Sequence, residues 1–271
     1  MDIARSGEEL IKICEKNSIS LSEYAIRREM EDRDVSREKE VYSVSGLIGG
    51  DAYKVQEYLK SGKSLTGDTM ILAMAMALSS SEVNASMGRI VACPTAGSCG
   101  ILPAVILTAG ESLGKTDDEL VMALFASAAV GMIIGRNATF AGAEGGCQAE
   151  CGSAAAMASA AVVEMMGGTP KMSLDAAAIV FKNILGLVCD PVAGLVEIPC
   201  AKRNSSGAIS ALCTADLVMA GVESKIPFDD ALSAMYKVGR SLPPELRETA
   251  LGGVAVTKAG LELRKKVFGD N

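Results

Sequence analysis

A chain of 271 residues with a net charge of -7 and no histidine excludes several kinds of functional site. Without histidine it cannot build a Ser-His or Cys-His nucleophile pair or a histidine-ligated zinc site. The acidic balance argues against nucleic acid, whose phosphates need a basic surface. The start of the chain, MDIARSGEEL, shows no secretory leader, so we expect a cytoplasmic protein whose eight cysteines are thiols or metal ligands.

The composition predicts an all-α fold. Apolar residues make up 49% of the chain and aromatic residues only 4%, with Ala, Gly, Met and Leu supplying most of the apolar content. Such side chains favour closely packed helices over sheets. We expect a single helical catalytic domain over residues 1–271 whose functional loops lie at helix ends. Residues 1–65 are a candidate partner-facing helical segment, and no membrane span is expected.

Capping-box patterns predict two helices near the N-terminus, one from Ser6 and one from Ser20. The second carries a dense run of charges up to Glu40, which is typical of a solvated face but also fits a docking surface. The stretch from Asp68 to about Ala85 predicts a helix rich in Ala and Met, with its methionines as core filler.

The segment CPTAGSCG, residues 93–100, predicts a loop that leads into an apolar helix. A helix start presents free N–H groups and a positive dipole, so it suits an anion such as a substrate carboxylate. Thr95, Gly97 and Ser98 are therefore candidate substrate-binding residues. A plain capped helix start explains the same pattern, and both interpretations stay open on the residues alone.

A further capping box at Thr116–Glu119 opens an uncharged apolar run that ends at Arg136 and Asn137. The run is shorter than the ~20 residues that span a bilayer, so it predicts a buried central helix. Asn137 either caps this helix or faces a substrate.

Two cysteine-containing motifs follow. GAEGGCQAECGS predicts a helix that begins near Cys147 and runs to Gly167, and a thiol at a helix start is stabilised as the thiolate. CDPVAGLVEIPCAKRN, residues 189–204, predicts a buried irregular loop between a helix from Ser173 and another from about Ser206. No C-x2-C pair occurs, so spacing alone supports a metal site only weakly. Cys151 is either a further ligand or a buried small residue, and the second interpretation is favoured.

The segments CPTAGSCG, GAEGGCQAECGSAAAMASAA and CDPVAGLVEIPCAKRN together resemble the alpha chain of bacterial iron–sulfur-dependent L-serine dehydratases. The resemblance extends over most of the chain from about Ser20. It implies a [4Fe-4S] cluster, no pyridoxal phosphate, and elimination of water from L-serine to give pyruvate and ammonia. Carried over position by position, the implied ligands are Cys147, Cys189 and Cys200. One iron would lack a protein ligand and would serve as a Lewis acid.

The general base is left open. In the resembled family a beta chain or a fused domain carries a histidine-bearing SHT motif, and this sequence lacks it. We therefore expect a beta chain as partner and an oligomeric enzyme. Glu144 and Lys202 are the candidate bases within this chain. Arg203 is a candidate partner for the substrate carboxylate.

Three other functions remain open from the sequence. The first is a related cluster-dependent desulfidase that acts on L-cysteine. The second is a non-catalytic cluster-bearing or purely helical subunit. The third is a pyridoxal-phosphate lyase with Lys202 as the Schiff base, which the residues around CAKRN support poorly because they include no recognisable phosphate cradle.

Overall fold

The computed structural model describes residues 6–19 and 36–269. These residues are mainly helical and, within the described ranges, form two isolated bridges but no strand, which confirms the all-α prediction. The helices are α1 Gly7–Asn17, α2 Asp51–Lys60, α3 Asp68–Ala85, α4 Ile101–Ser112, α5 Asp117–Asn137, α6 Gly142–Gly145, α7 Cys147–Met165, α8 Pro170–Ile184, α9 Cys200–Met219, α10 Phe228–Ser241 and α11 Lys258–Phe268. Short 3-10 turns occupy Ala96–Ser98, Val192–Gly194, Pro244–Leu246 and Gly253–Val256.

Helix α7 is the centre of the molecule. It packs against α4, α5, α8 and α9, and nearly all of its side chains are buried. Its sequence, CQAECGSAAAMASAAVVEM, is dominated by small residues, which allow neighbouring backbones to approach closely. At Gly152, for example, an added Cβ would stand 3.0 Å from Ile184.

Helix α5 is not the buried central helix that its apolar sequence predicts. Only 28% of its apolar window is buried, and Met122, Phe125 and Met132 are 61%, 67% and 70% exposed. Small and apolar residues occur all round α5, so hydropathy could not indicate which side meets the core. By length and composition alone, α5 and the segment 96–113, which is 67% buried, are the two stretches of the described chain that could cross a membrane.

Two helix boundaries near the cysteine motifs differ from the prediction. Helix α8 begins at Pro170 with Thr169 as its cap, upstream of the predicted Ser173, because proline is well tolerated in the first turn. Helix α9 begins at Cys200 and not near Ser206. Cys200 therefore belongs to the first turn of a helix, while Cys189 lies in the connecting segment.

Two buried glutamates connect residues 36–52 to the core. The Oε1 atom of Glu82 accepts hydrogen bonds from the backbone N–H groups of Asp51 (2.6 Å) and Ala52 (3.1 Å), so Glu82 caps α2, which lacks a cap of its own. Glu197 accepts a hydrogen bond of 2.7 Å from Ser45. The charged helix predicted from Ser20 falls largely outside the described residues, and the partner-facing role of residues 1–65 stays a prediction.

Candidate functional site

The three cysteine thiols singled out by the motifs meet at one end of the helical core. Cys147 begins α7, Cys200 begins α9 and Cys189 lies between α8 and α9, and all three are buried. Burial, and after it the charge of Cys147, raises the pKa of both Cys189 and Cys200, so the three thiols lie within electrostatic range of one another. The fold thus places three sulfur donors around one region.

Their electrostatic environments differ. Contact with the thiol of Cys151, whose sulfur lies 3.3 Å away, lowers the pKa of Cys147, and the charge of Arg203 lowers it further against the effect of burial. Burial raises the pKa of Cys200 to about 12 and also raises that of Cys189. Thiols buried in this way ionise when a bound cation compensates their charge.

The starts of α7 and α9 add positive potential to the same region. Gly146 and Pro199 precede these helices, and neither provides a side-chain cap. Backbone carbonyls accept from Gln148 and Ala201 in these first turns, and the positive end of each helix dipole favours negative charge at Cys147 and Cys200.

Arg203 connects the segment around Cys189 to the start of α9 at Cys200. From the first turn of α9, its Nη1 atom donates to the carbonyl oxygen of Val188 (2.9 Å), and its Nη2 atom forms a buried ion pair with Asp190 (2.9 Å). Asp190 in turn accepts a hydrogen bond of 2.7 Å from the N–H of Val254. Arg203 therefore holds both neighbours of Cys189 from a helix that begins at Cys200.

The loop after Cys93 forms a capped 3-10 turn beside α7. The hydroxyl groups of Thr95 and Ser98 lie 2.9 Å apart, and Thr95 donates to the carboxylate of Glu150 (2.5 Å). Ser98 is fully buried, so its hydroxyl shapes the turn. A Cβ on Gly97 would stand 2.6 Å from the Oε1 atom of Glu150, so a larger residue here would displace that carboxylate.

Asn204 fixes the same loop to α9. Its amide nitrogen donates to the carbonyl oxygens of Gly97 (2.7 Å) and Cys200 (3.0 Å), and its amide oxygen accepts from the N–H of Gly100 (3.0 Å). The side chain is buried and fully hydrogen-bonded. All three sequence motifs are therefore physically connected.

Two carboxylates that the sequence analysis missed also reach this region. The Oε2 atoms of Glu150 and Glu248 and the sulfur of Cys189 all lie within 3.5 Å of the point where a Cβ on Gly142 would stand. Burial raises the pKa of Glu150, the charge of Glu248 raises it further, and the Thr95 hydrogen bond opposes both. Glu248 has a φ of +66°, a left-handed conformation that only a few per cent of non-glycine residues adopt.

Comparison with known proteins agrees with this arrangement. Residues 6–255 match the family model described as "Serine dehydratase alpha chain". The chain belongs to the serine dehydratase alpha chain family. It is 46% identical to the "Probable L-serine dehydratase, alpha chain" of Bacillus subtilis, over 98% of this chain and 95% of that protein. It is also 46% identical to the "L-serine dehydratase, alpha chain" of Peptoniphilus asaccharolyticus, over 96% of this chain and 97% of that protein.

Some relatives of this serine dehydratase alpha-type chain are longer. An L-serine dehydratase of Escherichia coli K12 is 34% identical to it. The alignment covers 93% of this chain but only 61% of that protein. About two fifths of the longer relative therefore has no counterpart in the aligned region.

The other predicted site residues of this serine dehydratase alpha-type chain are exposed or have other contacts. Lys202 is largely exposed and pairs with Asp51 at the start of α2. Glu144 is exposed on α6. The amide of Asn137 donates to the carbonyl oxygen of Ile133 (2.9 Å) within α5, as a capping residue does. The catalytic and substrate-binding roles of these residues stay predictions.

Within the described ranges of this family member, no three Cys, Asp or Glu side chains are grouped to hold a single metal ion. The ligands of an iron–sulfur cluster are spread more widely than those of one ion, because each cysteine binds a different iron atom. The relevant features of the site are therefore the chemistry of its donors and the charges around them.

Proposed function

We propose that the protein is the alpha chain of an L-serine dehydratase, which converts L-serine to pyruvate and ammonia. The observation that carries this proposal is the meeting of Cys147, Cys189 and Cys200 in one buried region, connected by Arg203 and Asn204 to the Thr95–Ser98 loop. Membership of the serine dehydratase alpha chain family supports it.

We infer that the three cysteines hold a [4Fe-4S] cluster. The residues present fit such a group, since the donors are sulfur atoms and two uncapped helix starts and Arg203 supply positive charge around buried thiols. A cluster with three protein ligands would supply an iron able to act as a Lewis acid toward the substrate hydroxyl.

The protein residues bind and orient the substrate in this proposal. The backbone of the Thr95–Ser98 turn would bind the substrate carboxylate, since the Thr95 hydroxyl already donates to Glu150, and Ser98 and Asn204 keep that turn in place. Glu150 is able to hold a proton at Oε2 beside Cys189, because burial favours its neutral form. Loss of the Cα proton and of the hydroxyl as water leaves aminoacrylate, which hydrolyses to pyruvate and ammonia.

Single Cys→Ser variants at positions 147, 189 and 200 test this proposal, with Cys213→Ser as the control because Cys213 is exposed on the outer side of α9. After anaerobic reconstitution, we expect each of the three variants to lose bound iron and sulfide while the control retains both. Full iron in any one of them would remove that residue from the ligand set. Assays of pyruvate from L-serine and of sulfide from L-cysteine with the same preparation distinguish the dehydratase from a desulfidase.

A further inference from the structure

The outer face of α5 carries a stripe of regularly spaced residues that is apolar in the middle and charged at both ends. Its members, separated alternately by four and three residues, are Asp118, Met122, Phe125, Ala129, Met132 and Arg136. All six are exposed and lie opposite the side that packs on α7, where Ala123, Val130 and Ile134 are buried. A 4-3 spacing of apolar residues is the pattern by which one helix packs along another.

The stripe is also complementary to itself. Its spacing is symmetric about residue 127, so an antiparallel second copy would place Asp118 against Arg136, Met122 against Met132 and Phe125 against Ala129. Each end would match an acidic with a basic residue, and the centre would match a large with a small side chain. An isologous dimer requires such self-complementarity of a single surface.

We propose that α5 is a self-association surface, on which a second copy of this chain packs its own α5 antiparallel about a two-fold axis near residue 127. The contact would bury the apolar side chains of Met122, Phe125 and Met132 from both copies. The acidic first turn, Asp117–Glu119, would face the basic end of the other helix.

Two other occupants fit the same surface less well. Helices that bind a membrane surface are rich in Lys and Arg, whereas this helix begins with three acidic residues in a chain of net charge -7. A different protein chain would require no symmetry of spacing or charge about the midpoint of α5. The symmetry therefore favours a second copy.

Sedimentation velocity of the purified chain over a dilution series tests the proposal without depending on activity. We expect a dimer, and we expect Phe125→Glu to raise its dissociation constant by about 30-fold or more, because it places a charge in the centre of the contact. The matched control is Leu65→Glu, which adds the same charge at a residue that is 97% exposed and distant in sequence from α5. It should leave the dimer unchanged, and circular dichroism should show the same helicity in both variants.

A charge-reversal series is the second test. Asp118→Arg and Arg136→Asp each bring like charges together at both ends of the contact, so each alone should weaken the dimer. The double variant restores opposite pairs and should recover most of the affinity. Such recovery is not expected if the two residues face a different molecule.

Three results would overturn the proposal. The first is a wild-type chain that stays monomeric at concentrations on the order of 100 µM. The second is a dimer that Phe125→Glu leaves intact while the variant loses binding to a separately expressed beta chain. The third is a monomer whose α5 instead carries it to phosphatidylserine vesicles in a flotation assay.

Discussion

Arg203 holds the segment around Cys189 in place beside Cys200. It contacts Val188 and Asp190, the two neighbours of Cys189, from a position three residues after Cys200. Two of its guanidinium nitrogens contact protein groups, and its role in binding the substrate carboxylate stays a prediction. We interpret it as a positioning residue for the two cysteines.

Replacing Arg203 should separate these two roles. Arg203→Gln leaves Asp190 buried without its cation, which should cost about 3 kcal/mol of stability and reduce the iron retained after anaerobic reconstitution. Arg203→Lys keeps the charge but cannot make both contacts, so it should retain an intermediate amount of iron.

The control for this comparison is Arg264→Gln, because Arg264 is exposed on α11. It should keep the wild-type iron content. If Arg203→Gln retained full iron and raised only the KM for L-serine, Arg203 would bind the substrate carboxylate and the positioning role would be wrong.

Glu82 gives a pH-dependent contribution to stability. Burial raises the pKa of its carboxyl group in the folded chain, although hydrogen bonds from Ser36 and from the N–H groups of Ala52 and Asp51 oppose this rise. At pH values between the pKa of Glu82 in the unfolded chain and its higher pKa in the folded chain, the folded chain binds more protons than the unfolded chain. The stability that protonated Glu82 contributes is therefore lost as pH rises through the folded pKa.

Glu82→Gln removes that titration while keeping one oxygen acceptor at the start of α2. The Tm of the wild type minus that of the variant should therefore be larger at about pH 5 than at about pH 7.5. Thermal unfolding at the two pH values measures the difference. An equal difference at both would contradict the account of Glu82.

At the scale of elements, α9 and the Thr95–Ser98 loop are coupled through Asn204. Asn204→Ala leaves the carbonyl of Gly97 and the N–H of Gly100 without this partner, so it should cost about 1–3 kcal/mol and raise the KM for L-serine. Urea unfolding and serine kinetics measure the two effects. Asn84→Ala is the matched control, because Asn84 contacts the same loop at the Ala96 carbonyl from a more exposed position. Equal losses in both variants would argue against a special role for Asn204.

Most helices could be predicted from local patterns. The helix Asp68–Ala85 has the bounds expected from its composition, and Cys147 begins α7 as the preceding glycines indicate. The position of α5 could not be predicted, because apolar residues on both of its faces satisfy either a buried or an exposed location. The early start of α9 is not predicted, because the motif of residues 189–204 is interpreted as loop as a whole, whereas Pro199 directly precedes the first helical residue.

The candidate site was predictable only where its residues belong to contiguous motifs. The cysteines and the Thr95–Ser98 loop were found in that way. Glu150 lies inside a motif but has the appearance of an ordinary helical glutamate, and Glu248 lies in a segment with no motif. Both reach Cys189 through long-range packing, which sequence spacing does not encode.

At the scale of the whole molecule, we propose that this chain works with a beta chain. Relatives of the same length are named alpha chains, and the longer Escherichia coli relative extends well beyond the aligned region. This chain has no histidine, and the carboxylates and Lys202 are its own candidates for the base that removes the Cα proton.

The isolated, reconstituted chain should therefore turn over L-serine slowly, and addition of a separately expressed beta chain should restore the rate. Anaerobic pyruvate assays of the chain alone, the beta chain alone and their mixture measure this. Turnover by the chain alone at the rate of the mixture would show that the chain is self-sufficient, with Glu144, Glu150, Lys202 or a substrate alkoxide as the base.

Two long-range contacts, made by Ser45 and Asp51, can form only late in synthesis of the chain. Ser45 binds Glu197, 152 residues later, and Asp51 pairs with Lys202, 151 residues later. A ribosome adds about 5–20 residues per second, so the segment that emerges first waits about 10–30 s before these two anchors are made. A nascent chain that stalls before Glu197 would hold α2 only through α3 and the Glu82 cap, whereas a finished chain adds both distant anchors.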